Sequence, residues 1–109
     1  MAVVAKTLVE GQIIPNANTT VYTSREVTIL DKVTSANYDT VPRTQTISIV
    51  ASGNSLGNAY YVAKKVFAPG ETYTWPEVVG QILNTGDFIS VISSNNTGLN
   101  IRISGREIT

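Results

Sequence analysis

A chain of 109 residues has the length of one domain and, at that size, buries roughly two thirds of the surface its unfolded form exposes. It contains no cysteine and no histidine, which removes disulfides, thiolate and imidazole metal ligands, and nucleophiles of the Ser-His or Cys-His kind. Eight Lys and Arg balance eight Asp and Glu, so the basic footprint of a nucleic-acid binder is missing and repulsion between copies is weak.

Valine and isoleucine outnumber leucine (13 and 11 against 5), and 14 threonines add to the β-branched total. Stiff, branched side chains suit pleated, half-buried strands, so the expected fold class is all-β. The N-terminal run Met1 to Lys6 lacks a basic leader, and Lys6 and Glu10 interrupt it well short of a membrane span. The expectation is a soluble chain made in the cytosol, with neither membrane nor nucleic acid as partner.

In chain order, Lys6 to Ile14 and Thr19 to Thr23 are the first candidate strands, parted by the turn formers Pro15-Asn16-Ala17-Asn18. Glu26-Val27-Thr28-Ile29 starts a third, and the change of phase at Leu30-Asp31 predicts a bulge there. Thr46 to Ala51 alternates, with Ile47, Ile49 and Ala51 turned inward. Ala59 to Phe67 is extended with its orientation open, because Tyr60, Val62 and Val66 compete with Tyr61, Ala63 and Phe67. Around Thr74 to Leu83, capping-box spacing of Thr74 and Glu77, an early Pro76 and the set Val78, Val79, Ile82, Leu83 predict one short helix near 76–83, against which Gly80 argues. Asp87 to Ser93 is apolar on both faces, as in a strand that is central or covered by a subunit. Leu99 to Ser104 is the clearest strand, with Leu99, Ile101 and Ile103 on one face. Short strands at this spacing, punctuated by Gly and Asn turns, make a single antiparallel β-sandwich over residues 1–109, of jelly-roll type, with at most that one helix.

Candidate chemistry is sparse. The glycines lack the strand-loop-helix setting of a phosphate cradle, and the aspartates are too dispersed for a calcium loop. Glu71 with Glu77, or Asp31 with Asp39, would have to meet across a cleft to act as acid and base. Solvated turn and strand-end carboxylates are the simpler reading. Tyr60, Tyr61, Tyr73 and Trp75 could form an aromatic platform for a sugar or a protein, or pack within the sheets, the latter being favoured. Outward positions are mostly Ser, Thr, Asn and Gln, a surface that can be buried against neighbours without stranding charge. No cofactor, metal or catalytic residue is expected, and an enzyme is the least favoured class.

Ala5-Lys6-Thr7-Leu8-Val9-Glu10-Gly11, Ala68-Pro69-Gly70-Glu71-Thr72-Tyr73, Gly86-Asp87-Phe88-Ile89-Ser90 and Ile103-Ser104-Gly105-Arg106-Glu107 together resemble the small virion-associated proteins of tailed bacteriophages. The resemblance implies a place in the virion as a capsid decoration or cement protein, with itself (a trimer favoured) and the major capsid protein as partners. A tail, collar or fibre subunit, or a carbohydrate-binding module resting on Tyr60, Tyr61 and Trp75, is the alternative. Val3, Val4, Leu8, Tyr60, Tyr61 and Trp75 are the candidate interface residues. The segment Ala2 to Glu10 is expected to reach a neighbour as a free terminus.

Overall fold

A computed structural model describes residues 2–109. Its strands are β1 (Val3–Ile13), β2 (Thr19–Thr23), β3 (Val27–Ala36), β4 (Arg43–Val50), β5 (Tyr61–Phe67), β6 (Thr72–Thr74), β7 (Ile82–Leu83), β8 (Phe88–Ser93) and β9 (Asn100–Ile108). Sheet A runs β1-β9-β3-β6, with β7 also on β3; sheet B runs β2-β8-β4-β5. Every pairing is antiparallel. The connectivity is that of one long hairpin with its apex between β4 and β5. In it β1 lies on β9, β2 on β8, β3 on β6 and β7, and β4 on β5. Rolling this ribbon adds the β3–β9 and β4–β8 contacts, which is the jelly roll expected from the sequence.

Alternation explains which residues enter the core. Leu99, Ile101 and Ile103 are fully buried while Arg102 between them is exposed. In β5 the pattern settles on Ala63 and Phe67 inward and leaves Val66 exposed. β8 lies between β2 and β4 in its sheet, with Ile89 and Val91 of its inward face fully buried and Phe88 and Ile92 of its other face half-buried.

Bulges correct the phase where alternation fails. The β3–β9 register slips between Leu30 and Lys32, so Asp31 is the extra residue at the site the sequence predicts. It lets Leu30 and Val33 both reach the core although they are three apart. A second slip, between Thr7 and Val9, turns Leu8 and Val9 inward as consecutive residues. Leu8 packs close to Gly105, where a Cβ would overlap the main-chain carbonyl of Ile29. Only glycine fits that approach.

Two sequence expectations are corrected. Residues 76–80 form a turn, with the Val79 N–H bonding the Trp75 carbonyl at 3.0 Å, and no helix follows. Gly80, at φ +88°, ends that turn, and β3 claims Ile82 and Leu83 as a strand. Glu77, instead of closing a capping box, accepts from the Tyr73 hydroxyl at 3.1 Å. The N-terminal segment is not a free arm either. It is strand β1, tied at its start by reciprocal bonds between Ala2 and Thr109 (2.9 and 2.8 Å).

A polar relay runs through the interior. The Trp75 indole N–H donates to Ser35 Oγ (2.9 Å), Ser35 Oγ donates to Gln45 Oε1 (2.6 Å), and all three residues are fully buried. Trp75 also packs against Phe67 and Tyr73, with ring centroids 5.8 and 5.3 Å away, and Lys65 Nζ lies 4.7 Å from the Tyr73 centroid. This cluster closes the side of the sandwich between β5 and β6.

Candidate assembly surface

The β-sheet register divides sheet A into inward and outward rows. Val4, Glu107, Thr28 and Leu83 lie side by side across four strands, and the last three of them are buried. Their neighbours in sequence therefore face out. Val3, Ile108 and Val27 form one outward row, and Ala5, Arg106, Ile29 and Ile82 form the next. Val3 is 57% and Ile82 58% exposed, with Val27, Ile29 and Ile108 half-buried around them. Arg106 crosses the patch and is held by both carboxylate oxygens of Asp31 at 3.0–3.1 Å, so the charge within it is paired.

Apolar residues can face outward here because polar ones at the same end are satisfied inside. Glu107 accepts from Lys6 Nζ (2.7 Å) and from the Tyr22 hydroxyl (3.0 Å); Tyr22 in turn lies 3.3 Å from Thr28 Oγ1, and Thr28 3.0 Å from Ser24 Oγ. The network joins β1, β9 and β3 of one sheet to β2 of the other. The Lys6 ammonium, followed by the Tyr22 hydroxyl, holds the Glu107 carboxyl below its ordinary value of 4.5, against the opposing effect of burial. Burial, with the neighbouring Glu107 charge, raises the Tyr22 hydroxyl.

The other half of the same outer face is polar. Glu10, Lys32, Thr34, Asn100, Arg102 and Ser104 border an open concavity of about 460 Å³. Arg102 is anchored there by donating to the Glu10 carbonyl at 2.6 Å.

The six interface residues expected from the sequence do not converge. Val3 and Val4 are exposed on β1 at the edge of sheet A, whereas Leu8 on the same strand packs on the core. Tyr60 is half-buried in a 3-10 turn (Asn58–Tyr60), and Tyr61, 52% exposed, begins the edge strand of sheet B. Trp75 has 0% exposure and cannot face a partner or a sugar ring. Its bulk and its indole N–H are both used internally, which removes the central residue of the glycan platform. The carboxylates weighed as an acid-base pair are each engaged elsewhere: Asp31 by Arg106, Asp39 by Arg43, Glu71 by Lys65 and Glu77 by Tyr73.

Val27, Ile29, Ile82 and Ile108 were not among the residues expected at an interface. Their only sequence signal is the pair of triplets Val27-Thr28-Ile29 and Arg106-Glu107-Ile108, read with the polar residue inward. Nothing but the strand pairing reveals that inversion.

No protein-family profile matches the chain, and neither does any curated protein. Among solved structures the fold is similar to that of a chain from Bacillus endospore appendages, described as a family of disulfide-linked pili. The TM-score is 0.53 at 14% identity, over 96% of this chain and 87% of that one. The likeness is one of fold: the two share an all-β architecture in which β-sheets pack face to face.

Proposed function

We propose that this protein is a structural, non-catalytic subunit of a bacteriophage virion, one that reinforces a capsid shell by docking on it and on copies of itself. The outward apolar rows of sheet A carry the reading. Val3, Val27, Ile29, Ile82 and Ile108 gather on one face, and burying such a face stabilises a contact at about 25 cal/mol per Å² of apolar area. Zero net charge and a surface rich in Ser, Thr and Asn let copies approach closely without stranding charge. The virion itself is drawn from the sequence resemblance. The test is to mix purified protein with undecorated capsids. Saturable co-sedimentation at a fixed ratio, with a raised capsid melting temperature, is the expected result; protein left in the supernatant at every ratio would count against it.

A filament subunit is the second reading, favoured by the fold shared with a pilus protein. With no cysteine in this sequence, such a filament would be held without disulfides from it. Negative-stain microscopy of the purified protein separates the two. Unbranched fibres support the filament, and discrete particles that bind capsids support the decoration role.

A further inference from the structure

The sandwich presents outer strands on both sheets: β1 and the split β6/β7 position on sheet A, β2 and β5 on sheet B. An open strand edge offers unpaired main-chain groups, and proteins usually spoil it with bulges, charges or proline. Most of these edges are spoiled. The turn carrying Pro76 parts β6 from β7, β2 has five residues and a register slip after Thr20, and β5 has a slip together with Lys64 and Lys65. β1 is bulged only beyond Thr7. From Val3 to Thr7 it runs in unbroken register against Ile108 to Ser104.

The alternation of an antiparallel ladder fixes which groups along that stretch are free. Ala2 and Thr109 exchange both of their hydrogen bonds, so Val4 and Lys6 are the next positions bonded to β9. Val3, Ala5 and Thr7 therefore turn their N–H and C=O groups to the open side. These free positions are symmetric about Ala5.

We propose that a second copy of this chain occupies the edge, pairing antiparallel along Val3–Thr7 around a two-fold axis at Ala5. The inference rests on the self-associating reading above and adds its partner, edge and register. Val3 faces Thr7 of the other copy and Ala5 faces its own equivalent. Three residues, each with one donor and one acceptor, give six inter-chain hydrogen bonds. The charges suit a second copy too. Lys6 is the one ionic residue in the stretch, and its ammonium is matched within its own chain by Glu107 at 2.7 Å, so no unpaired like charges meet. The outward row that begins at Ala5 and includes Ile29 and Ile82 would run on into its own equivalent across the pair. This two-fold unit replaces the trimer that the sequence resemblance implies.

The test uses the absence of cysteine. Ala5→Cys, Val3→Cys and Thr7→Cys each introduce a single thiol. At a hydrogen-bonded antiparallel pair, Cα atoms lie about 5.5 Å apart, within disulfide range. Ala5→Cys is thus expected to cross-link to a dimer under mild oxidation. Val3→Cys and Thr7→Cys alone place like thiols roughly 13 Å apart along the strand and should stay at background. Mixing those two variants should restore cross-linking. Ala5→Pro removes only an outward N–H, so its circular dichroism and melting are expected to be unchanged while the dimer dissociation constant rises on the order of tenfold or more. An oligomer that persists in Ala5→Pro, with no cross-link in Ala5→Cys, overturns this edge but leaves self-association standing. Equal cross-linking of all three cysteine variants, or a closed wild-type trimer, overturns the register likewise. A wild-type monomer at high concentration overturns both this inference and the assembly reading.

Discussion

Ser35 is the residue on which the interior polar relay turns, because its hydroxyl accepts a hydrogen bond from the Trp75 indole N–H and donates one to the Gln45 carbonyl oxygen. Ser35→Ala leaves the indole N–H and the Gln45 carbonyl oxygen unpartnered where water does not reach. The expected loss is about 1–3 kcal/mol, large for a single hydroxyl, measurable by urea denaturation followed by circular dichroism. Glu107 supplies a second residue-scale prediction, this time in pH. Its folded pKa is depressed, chiefly by Lys6 and then by Tyr22, so its contribution to stability is fully present above the ordinary value of 4.5 and is lost as pH falls through the lower folded value. Asp39, lowered by Arg43, and Glu71, lowered by its bond from the Ala68 N–H and by Lys65, act in the same direction. Urea midpoints taken from pH 7 to pH 3 should fall below about pH 4.5, and Glu107→Gln should flatten part of that fall. An unchanged slope in the variant would mean that the carboxylate is not what the acid attacks. Neither role was visible in the sequence, where Ser35 is one of many serines and Glu107 looks like a solvated strand-end charge. Both become polar cores only once the two sheets are packed together, β3 against β4 around Ser35 and β1, β3 and β9 against β2 around Glu107.

At the scale of elements, strands whose faces differ in polarity were legible and those bent by tertiary contacts were not. The first two strands were legible from their β-branched residues and the turn formers between them, although both carry register slips. Leu99 to Ile103 could be read directly because its alternation is unbroken. The bulge at Asp31 was readable for the same reason, as a defect in an otherwise regular pattern. The stretch from Trp75 to Leu83 misled because its apolar spacing fits a helix equally well. Its decisive partners lie elsewhere: the Val33 carbonyl takes the Trp75 N–H and the Leu30 carbonyl takes that of Gly80. Local propensity over so short a segment yields to such pairings. The bulge makes a prediction of its own. Deleting Asp31 leaves Leu30 and Val33 two apart, opposite Gly105 and Ile103, which are also two apart, so both flanks of β3 keep their partners on β9 and their inward faces. That deletion should therefore still fold cooperatively, keeping a sharp thermal transition that is lowered by the loss of local twist and of the Asp31 partner of Arg106. Asp31→Asn, which keeps the residue count and a hydrogen-bonding side chain beside Arg106, should melt within a few degrees of the wild type. A deletion variant without a cooperative transition would mean that the bulge itself, and not only the pairing on either side of it, is needed to seat β3.

For the whole molecule, the candidate surface combines two devices that act in different directions. The open edge of β1 extends sheet A sideways, in the plane of the sheet, whereas the apolar rows on its outer face can be covered only by something stacked against that face. The two are therefore separable by mutation. Ile82 sits on β7, on the far side of β3 from β1, and is 58% exposed. Ile82→Lys places a charge in the apolar face without touching the β1 edge or the buried row of Leu83 and Thr28. Monomer stability is expected to change by no more than about 0.5 kcal/mol, as for surface positions in general. Self-association through Ala5 should persist by mass photometry. Attachment to capsids should weaken on the order of tenfold or more in co-sedimentation, because a charge buried opposite an apolar partner costs more than the contact it replaces. If Ile82→Lys binds capsids as the wild type does while Ala5→Pro fails to, the edge alone carries attachment and the outer face is only surface. If both variants bind normally, neither the β1 edge nor the outer face of sheet A is the docking surface, and the exposed Tyr61 and Val66 on the opposite sheet become the place to look.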